Sequence, residues 1–195
     1  SDGINPVSSR RIGIADCFIR NHDDSIAVKT MIPDEPSTDI VVQRCVLWND
    51  WGYALGITYE TRADIRDVTF RDCDVIHGSF AAMAVYVVDS GTVSDVTFED
   101  IRVDHAGKKL ILLNIGKDNW ATDKAFGRIK GVRFRNVGYL GEGRPPSQIT
   151  GRDAEHRVED VLFENVRIGG KLITSADAGL FGINQHTRNI ESKPK

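Results

Sequence analysis

The sequence predicts an all-β chain wound as a right-handed parallel β-helix, one solenoid domain over residues 1–195, and three observations lead there. First, a seven-residue phrase recurs at 11–17, 39–45, 67–73, 95–101, 131–137 and 160–166, with a weaker seventh start at Asn189-Ile190. Second, apolar and polar residues alternate within each copy, the period of a strand with one buried face. Third, an apolar stretch follows about 15 residues after the phrase begins, at 25–30, 54–59, 82–87 and 110–115, with no amphipathic helical pattern in between. A βαβ sheet needs such helices. Short strands that cannot bury their own apolar face are satisfied by stacking coil upon coil, apolar faces inward.

The phrase begins at intervals of 28, 28, 28, 36, 29 and 29 residues. The long interval predicts a surface loop near 117–127, and the Gly and Pro content of 141–146 predicts another. The polar stretch 146–156 reads as a loop followed by a strand start. Aligned phrases place Ile14, Val42, Phe70, Phe98, Phe134 and Phe163 in one core column. Cys17, Cys45 and Cys73 share a second column with Ile101, Val137 and Val166, so the thiols are expected to pack inward as small hydrophobes. Adjacent coils would bring two such cysteines within bonding range, but three cannot all pair. No His joins that column, and His77, His105, His156 and His186 show no ligand spacing, so neither a metal nor a cofactor is assigned.

Composition sets limits on partners. The 195 residues are 41% hydrophobic and 27% charged with a net charge of −3, enough apolar content for one continuous core. No basic run or stripe could neutralise a row of phosphates, which argues against nucleic acid. No apolar run reaches the roughly 18 residues that a bilayer-spanning helix requires. The chain opens inside an acidic segment, so N-terminal coils, a cap and any export signal are expected to lie ahead of residue 1. Oligomeric state is not legible.

Chemistry concentrates at Asn21-His22-Asp23-Asp24-Ser25-Ile26-Ala27-Val28-Lys29. If Ile4, Ile26, Leu55, Met83 and Ile111 align in the second strand, then Asp2, Asp24, Tyr53, Ala81 and Lys109 stack two positions earlier, with Asp23 beside them. An Asp-Asp pair before a strand often only caps a turn. A third acid one coil away changes the reading, because crowded carboxylates raise at least one pKa and suit general acid and base work on a glycosidic bond. Around the acids, Trp48, Trp51 and Tyr53 offer rings for sugar stacking or cover for the core. Glu60 is a substrate contact or a solvated neighbour of Arg62. Lys29 could tune a carboxylate or bind a hydroxyl, and His22 could orient an acid.

At these residues the chain resembles the polygalacturonases of glycoside hydrolase family 28. Ser1-Asp2-Gly3-Ile4-Asn5 looks like the family's Asn-Thr-Asp-Gly, and His22-Asp23-Asp24-Ser25 like its Gly-x-Asp-Asp one coil later. The resemblance implies a pectin-lyase-like solenoid, a secreted or periplasmic location, a polysaccharide or oligosaccharide substrate, and inverting hydrolysis. In that mechanism Asp23 is the general acid, and Asp2 and Asp24 activate water. Two family motifs are replaced: Gly52-Tyr53-Ala54 stands for Gly-His-Gly, and Val85-Tyr86-Val87-Val88 stands where Arg-Ile-Lys is expected. Tyr86 would then line the cleft, and loss of the Arg and Lys argues against a galacturonan substrate. Two alternatives stay open: a β-helix lyase or epimerase acting on a uronic acid, and a non-catalytic glycan-binding β-helix.

Overall fold

The computed structural model describes residues 1–175 and 180–193, and it is a parallel β-helix. Each full coil carries strands on three faces. The first face is the recurring phrase, in strands Arg10–Ala15, Ser37–Gln43, Ile65–His77, Thr92–Val103, Arg128–Arg135, Val158–Glu164 and Thr187–Lys193. These pair in parallel in the order of the chain, with Val42, Phe70, Phe98, Phe134 and Phe163 in one register column. The weak seventh start is therefore a strand, with Ile190 opposite Val161.

Each phrase is bounded by residues in the left-handed backbone region. Arg11, Asp39, Asp67, Asp95, Gly131, Asp160 and Asn189 all have φ between 53° and 70°. At the far end Asp16, Arg44, Asp72, Asp100, Asn136 and Asn165 lie between 50° and 59°. Asp and Asn tolerate this conformation because their short polar side chains bond locally, so their recurrence marks where the chain kinks and turns. The second set also forms a ladder: Asn165 donates to Asn136 Oδ1, and Asn136 to Asp100 Oδ1, both at 2.9 Å.

The second face is a set of short strands, Phe18–Asn21, Val46–Asn49, Gly138–Tyr139 and Arg167–Ile168, continued by the distal halves of Ile65–His77 and Thr92–Val103. The sequence reading missed this face, since two to four residues are too few to show a period. The cysteine column opens it. Cys45 and Cys73 are fully buried and all three thiols are free. Each Sγ donates to the carbonyl two residues back, of Ala15, Gln43 and Arg71. Burial pushes the Cys73 thiol up to about 12, which keeps it protonated.

The third face holds Ile26–Thr30, Tyr53–Thr61, Ala81–Val87, Lys109–Ile115, Ser147–Thr150 and Phe181–Ile183. The stretch 146–156, read as a loop followed by a strand start, has its strand first, at Ser147–Thr150, and the pairing of that strand with Leu112–Asn114 extends the sheet. The 117–127 and 141–146 segments are loops. Inside the coils Phe70, Phe98, Phe134 and Phe163 stack with centroids 4.9, 5.1 and 5.1 Å apart and planes within 10° of parallel. That spacing is close to the distance between neighbouring strands in a sheet, about 4.8 Å, so one ring per coil fills the core continuously. Among the described residues no helix is long and apolar enough to cross a membrane.

Candidate active site

The outer side of the third face is built for a cleft. Ile26, Leu55 and Met83 point into the core, while Asp24, Tyr53 and Ala81 begin the outward set, and Ile4 bridges to Ile26 so that Asp2 precedes the same column. Ala27, Gly56 and Ala84 pair side by side along the same outer surface. Small residues there leave a low floor between the Asp24 column and a parallel column of Thr58, Tyr86 and Asn114.

Asp2, Asp23 and Asp24 line one pocket of about 300 Å³, shared with Lys29 and Glu60. Its remaining walls are aromatic, from Trp51, Tyr59, Phe80 and Trp120, with Gly52 at the base. The three acids that the sequence spaced one coil apart therefore do meet.

The turn that presents Asp23 and Asp24 is held by Asn21. Its Nδ2 donates to the Asp23 carbonyl at 2.7 Å and the Asp24 carbonyl at 2.9 Å, and its Oδ1 accepts from the Ser25 hydroxyl. Asp23 Oδ1 accepts the Asp24 amide at 3.0 Å. Gly52, at φ +85°, packs under both acids: a Cβ there would lie 2.5 Å from Asp24 Oδ1 and 2.6 Å from Asp23 Oδ1. Only glycine meets both the conformation and the clearance.

Asp24 is 2% exposed, with Oδ1 accepting the Tyr53 amide and Oδ2 the Thr58 hydroxyl, each at 2.8 Å. Its pKa is pushed up to about 6, first by burial, against the lowering effect of those two donors and Lys29; the charge of Asp2 is the smallest contribution. Sequence reasoning expected a raised carboxylate here from crowding of like charges. Desolvation is the larger cause.

Lys29 Nζ lies between two acids, 3.3 Å from Asp2 Oδ2 and 3.1 Å from Glu60 Oε2. Asp2 Oδ2 also accepts from Asn5 Nδ2 at 2.6 Å. Burial works against the lysine charge, but Glu60, Asp2 and Asp24 outweigh it and its pKa stands above the ordinary value. Glu60 reaches Lys29 through a register shift: Val28 pairs with Ile57 but Thr30 with Thr61, so extra residues oppose Lys29. Within this bulge Tyr59 adopts φ 62°, unusual for an aromatic residue.

The other expected site residues separate. Trp51 is half exposed on the rim, 4.6 Å from Phe80. Tyr53 is buried beneath the pocket, edge-on to Tyr59 and Phe80, and burial raises its pKa. Tyr86 packs on Tyr59 at 5.3 Å and does not line the pocket. His22 is exposed and outside the pocket lining. Trp48 belongs to a different surface, under Arg20 at 4.9 Å and beside His77 at 5.8 Å.

Sequence reasoning named Asn21 and Gly52 without giving either a role, and missed Thr58, Tyr59, Phe80 and Trp120. Trp120 comes from the loop predicted by the 36-residue interval, which crosses back over the intervening coils to reach a pocket shared with Asp2. The loop is pinned by Asp89, fully buried, whose carboxylate accepts the amides of Thr61, Thr122 and Asp123. Lys117 fastens the loop by donating to the carbonyls of Val88, Asp123 and Ala125. The long interval signalled the loop, but not where it went.

Known proteins match both the sequence and this architecture. The chain is 27% identical over 147 residues to a probable polygalacturonase of Vitis vinifera, covering 70% of this chain and 30% of that protein. The crystal structure of a hyperthermoactive exopolygalacturonase from Thermotoga maritima superposes with a TM-score of 0.75 at 18% identity, covering 98% of this chain and 44% of that one. The chain thus spans less than half the length of either relative. A model of the glycosyl hydrolases family 28 matches residues 1–179, and the chain belongs to that family.

Proposed function

We propose that the chain is a glycoside hydrolase that cleaves a glycosidic bond of a polysaccharide or oligosaccharide with inversion, using Asp2, Asp23 and Asp24. The observation that carries this reading is the convergence of the three carboxylates in one aromatic-walled pocket, with one of them shifted to about 6. Family membership and the likeness to polygalacturonases support the reaction class.

Asp23 is half-buried at the turn and serves as the general acid, donating its proton to the glycosidic oxygen as the bond to the anomeric carbon breaks. Asp2 and ionised Asp24 hold a water on the opposite side of the ring and accept its proton as its oxygen bonds the anomeric carbon. Lys29 holds the Asp2 carboxylate in place by their ion pair. Trp51 and Trp120 position the sugar by stacking. A polymeric substrate accords with a secreted or periplasmic enzyme.

The test is turnover of a pectic and neutral polysaccharide panel by the wild type and by Asp23→Asn, with product configuration read by NMR. Hydrolysis with inversion, lost in the variant while the circular dichroism spectrum is unchanged, is the expected result. Turnover retained by Asp23→Asn, or unsaturated products indicating a lyase, overturns the proposal.

A further inference from the structure

We infer that Lys108 is a specificity-determining residue whose ammonium binds a carboxylate on the sugar unit that flanks the one over the acids. This rests on the hydrolytic reading for the path of the substrate and on the geometry of the cleft rim for the contact.

Lys108 ends a lane that leads out of the acidic pocket. In the third-face register Asp24, Tyr53, Ala81 and Lys109 share a column, so Asp23, Gly52, Phe80 and Lys108 follow one another coil by coil, one position earlier. Backbone bonds hold that order: the Phe80 amide donates to the Gly52 carbonyl at 2.7 Å, and the Lys109 amide to the Phe80 carbonyl at 3.0 Å. With about 4.8 Å between coils, the Lys108 backbone lies well beyond the acids. Its side chain turns back toward them. Nζ sits 3.7 Å from the centroid of Phe80 and 5.4 Å from that of Trp51, and both rings line the acidic pocket.

The two lysines of this region differ in what engages their charge. Lys29 is held inside the pocket by Asp2 and Glu60, whereas Lys108 is exposed and forms no ion pair among the described residues. The ring faces attract its ammonium and fix its position without neutralising it. An ammonium carries three donors, and a ring beneath it leaves others for a ligand. Trp51 is 52% exposed, so a sugar stacked on its free surface comes to lie beside Nζ. A carboxylate on that unit completes a charge-assisted hydrogen bond. Sequence reasoning sought a cation for a substrate carboxylate at 85–88; Lys108 lies one coil later.

The experiment compares an oligogalacturonide with the same oligosaccharide after its carboxyls are reduced to primary alcohols. Kinetics are measured on the full chain and on Lys108→Met, which keeps an apolar stem over the rings, and on Lys108→Arg, which keeps the charge. Binding is measured by calorimetry with Asp23→Asn in each background. Lys108→Met is expected to lower the ratio of kcat/KM for the acidic over the reduced oligosaccharide about fivefold, through KM rather than kcat. The wild-type ratio should fall with added salt, and Lys108→Arg should restore most of it. An equal loss on both oligosaccharides, no loss on either, or no binding of the oligogalacturonide overturns the inference. Selective weakening of oligogalacturonide binding by Lys108→Met, with neither oligosaccharide hydrolysed by the wild type, upholds the contact while removing the hydrolytic reading.

Discussion

The backbone amide of Tyr53 donates to Asp24 Oδ1 at 2.8 Å across neighbouring coils. The same residue that stacks above the acid in sequence register thus supplies one of its two donors, and Thr58, further along the same strand, supplies the other. Stacking of coils is what builds the carboxylate's environment.

Asp24 carries a stability cost at neutral pH. Its folded pKa of about 6 lies above the ordinary 3.8, so its contribution to stability is full below pH 3.8 and is lost as pH rises through 6. Ionisation above that range costs on the order of 3 kcal/mol. Asp24→Asn keeps the shape without the charge. It should abolish turnover yet raise the melting temperature at pH 7, with the gain shrinking toward pH 4 in calorimetric scans.

Thr58→Val removes one of the donors that hold the Asp24 pKa down. The acid limb of the kcat/KM profile, expected near 6 in the wild type from the Asp24 pKa, should move to higher pH. The variant should lose about 1–2 kcal/mol of stability, because a buried carboxylate oxygen is left without a partner. Chemical denaturation and a pH–rate series check both.

Gly52→Ala places a methyl group against Asp23 and Asp24 at a backbone angle that favours glycine. A loss of about 1–3 kcal/mol is expected from strain alone. Turnover should fall steeply because both carboxylates must shift. Chemical denaturation paired with kinetics reads the two effects separately.

Asp89→Asn turns an acceptor of three amides into a group that presents N–H to N–H. The 117–127 loop should loosen, with greater acrylamide quenching of Trp120 fluorescence and a raised KM. The Asp2, Asp23 and Asp24 pocket floor should be unchanged, so kcat should fall less than kcat/KM.

The coil repeat and the meeting of the three acids were legible in the chain. A two-residue side-chain period and a 28-residue interval specify which residues share a column once strands stack, and that placed Asp2, Asp24 and Tyr53 together. The left-handed corners were also present as recurring Asp and Asn. Other features had no local signal. The short strands of the second face have no measurable period, and Ser147–Thr150 is too polar to announce itself.

By itself, then, the sequence determined the β-helix, the core columns and the acidic constellation, because alternation and repeat length are local properties that survive in one dimension. The tertiary structure decided the depth of Asp24, the pairing of Lys29 with Asp2 and Glu60, and the return of Trp120 over the pocket. Each of these depends on desolvation, on a bulge that shifts register, or on a loop anchored far from its tip. Those are set by contacts between residues distant in the chain.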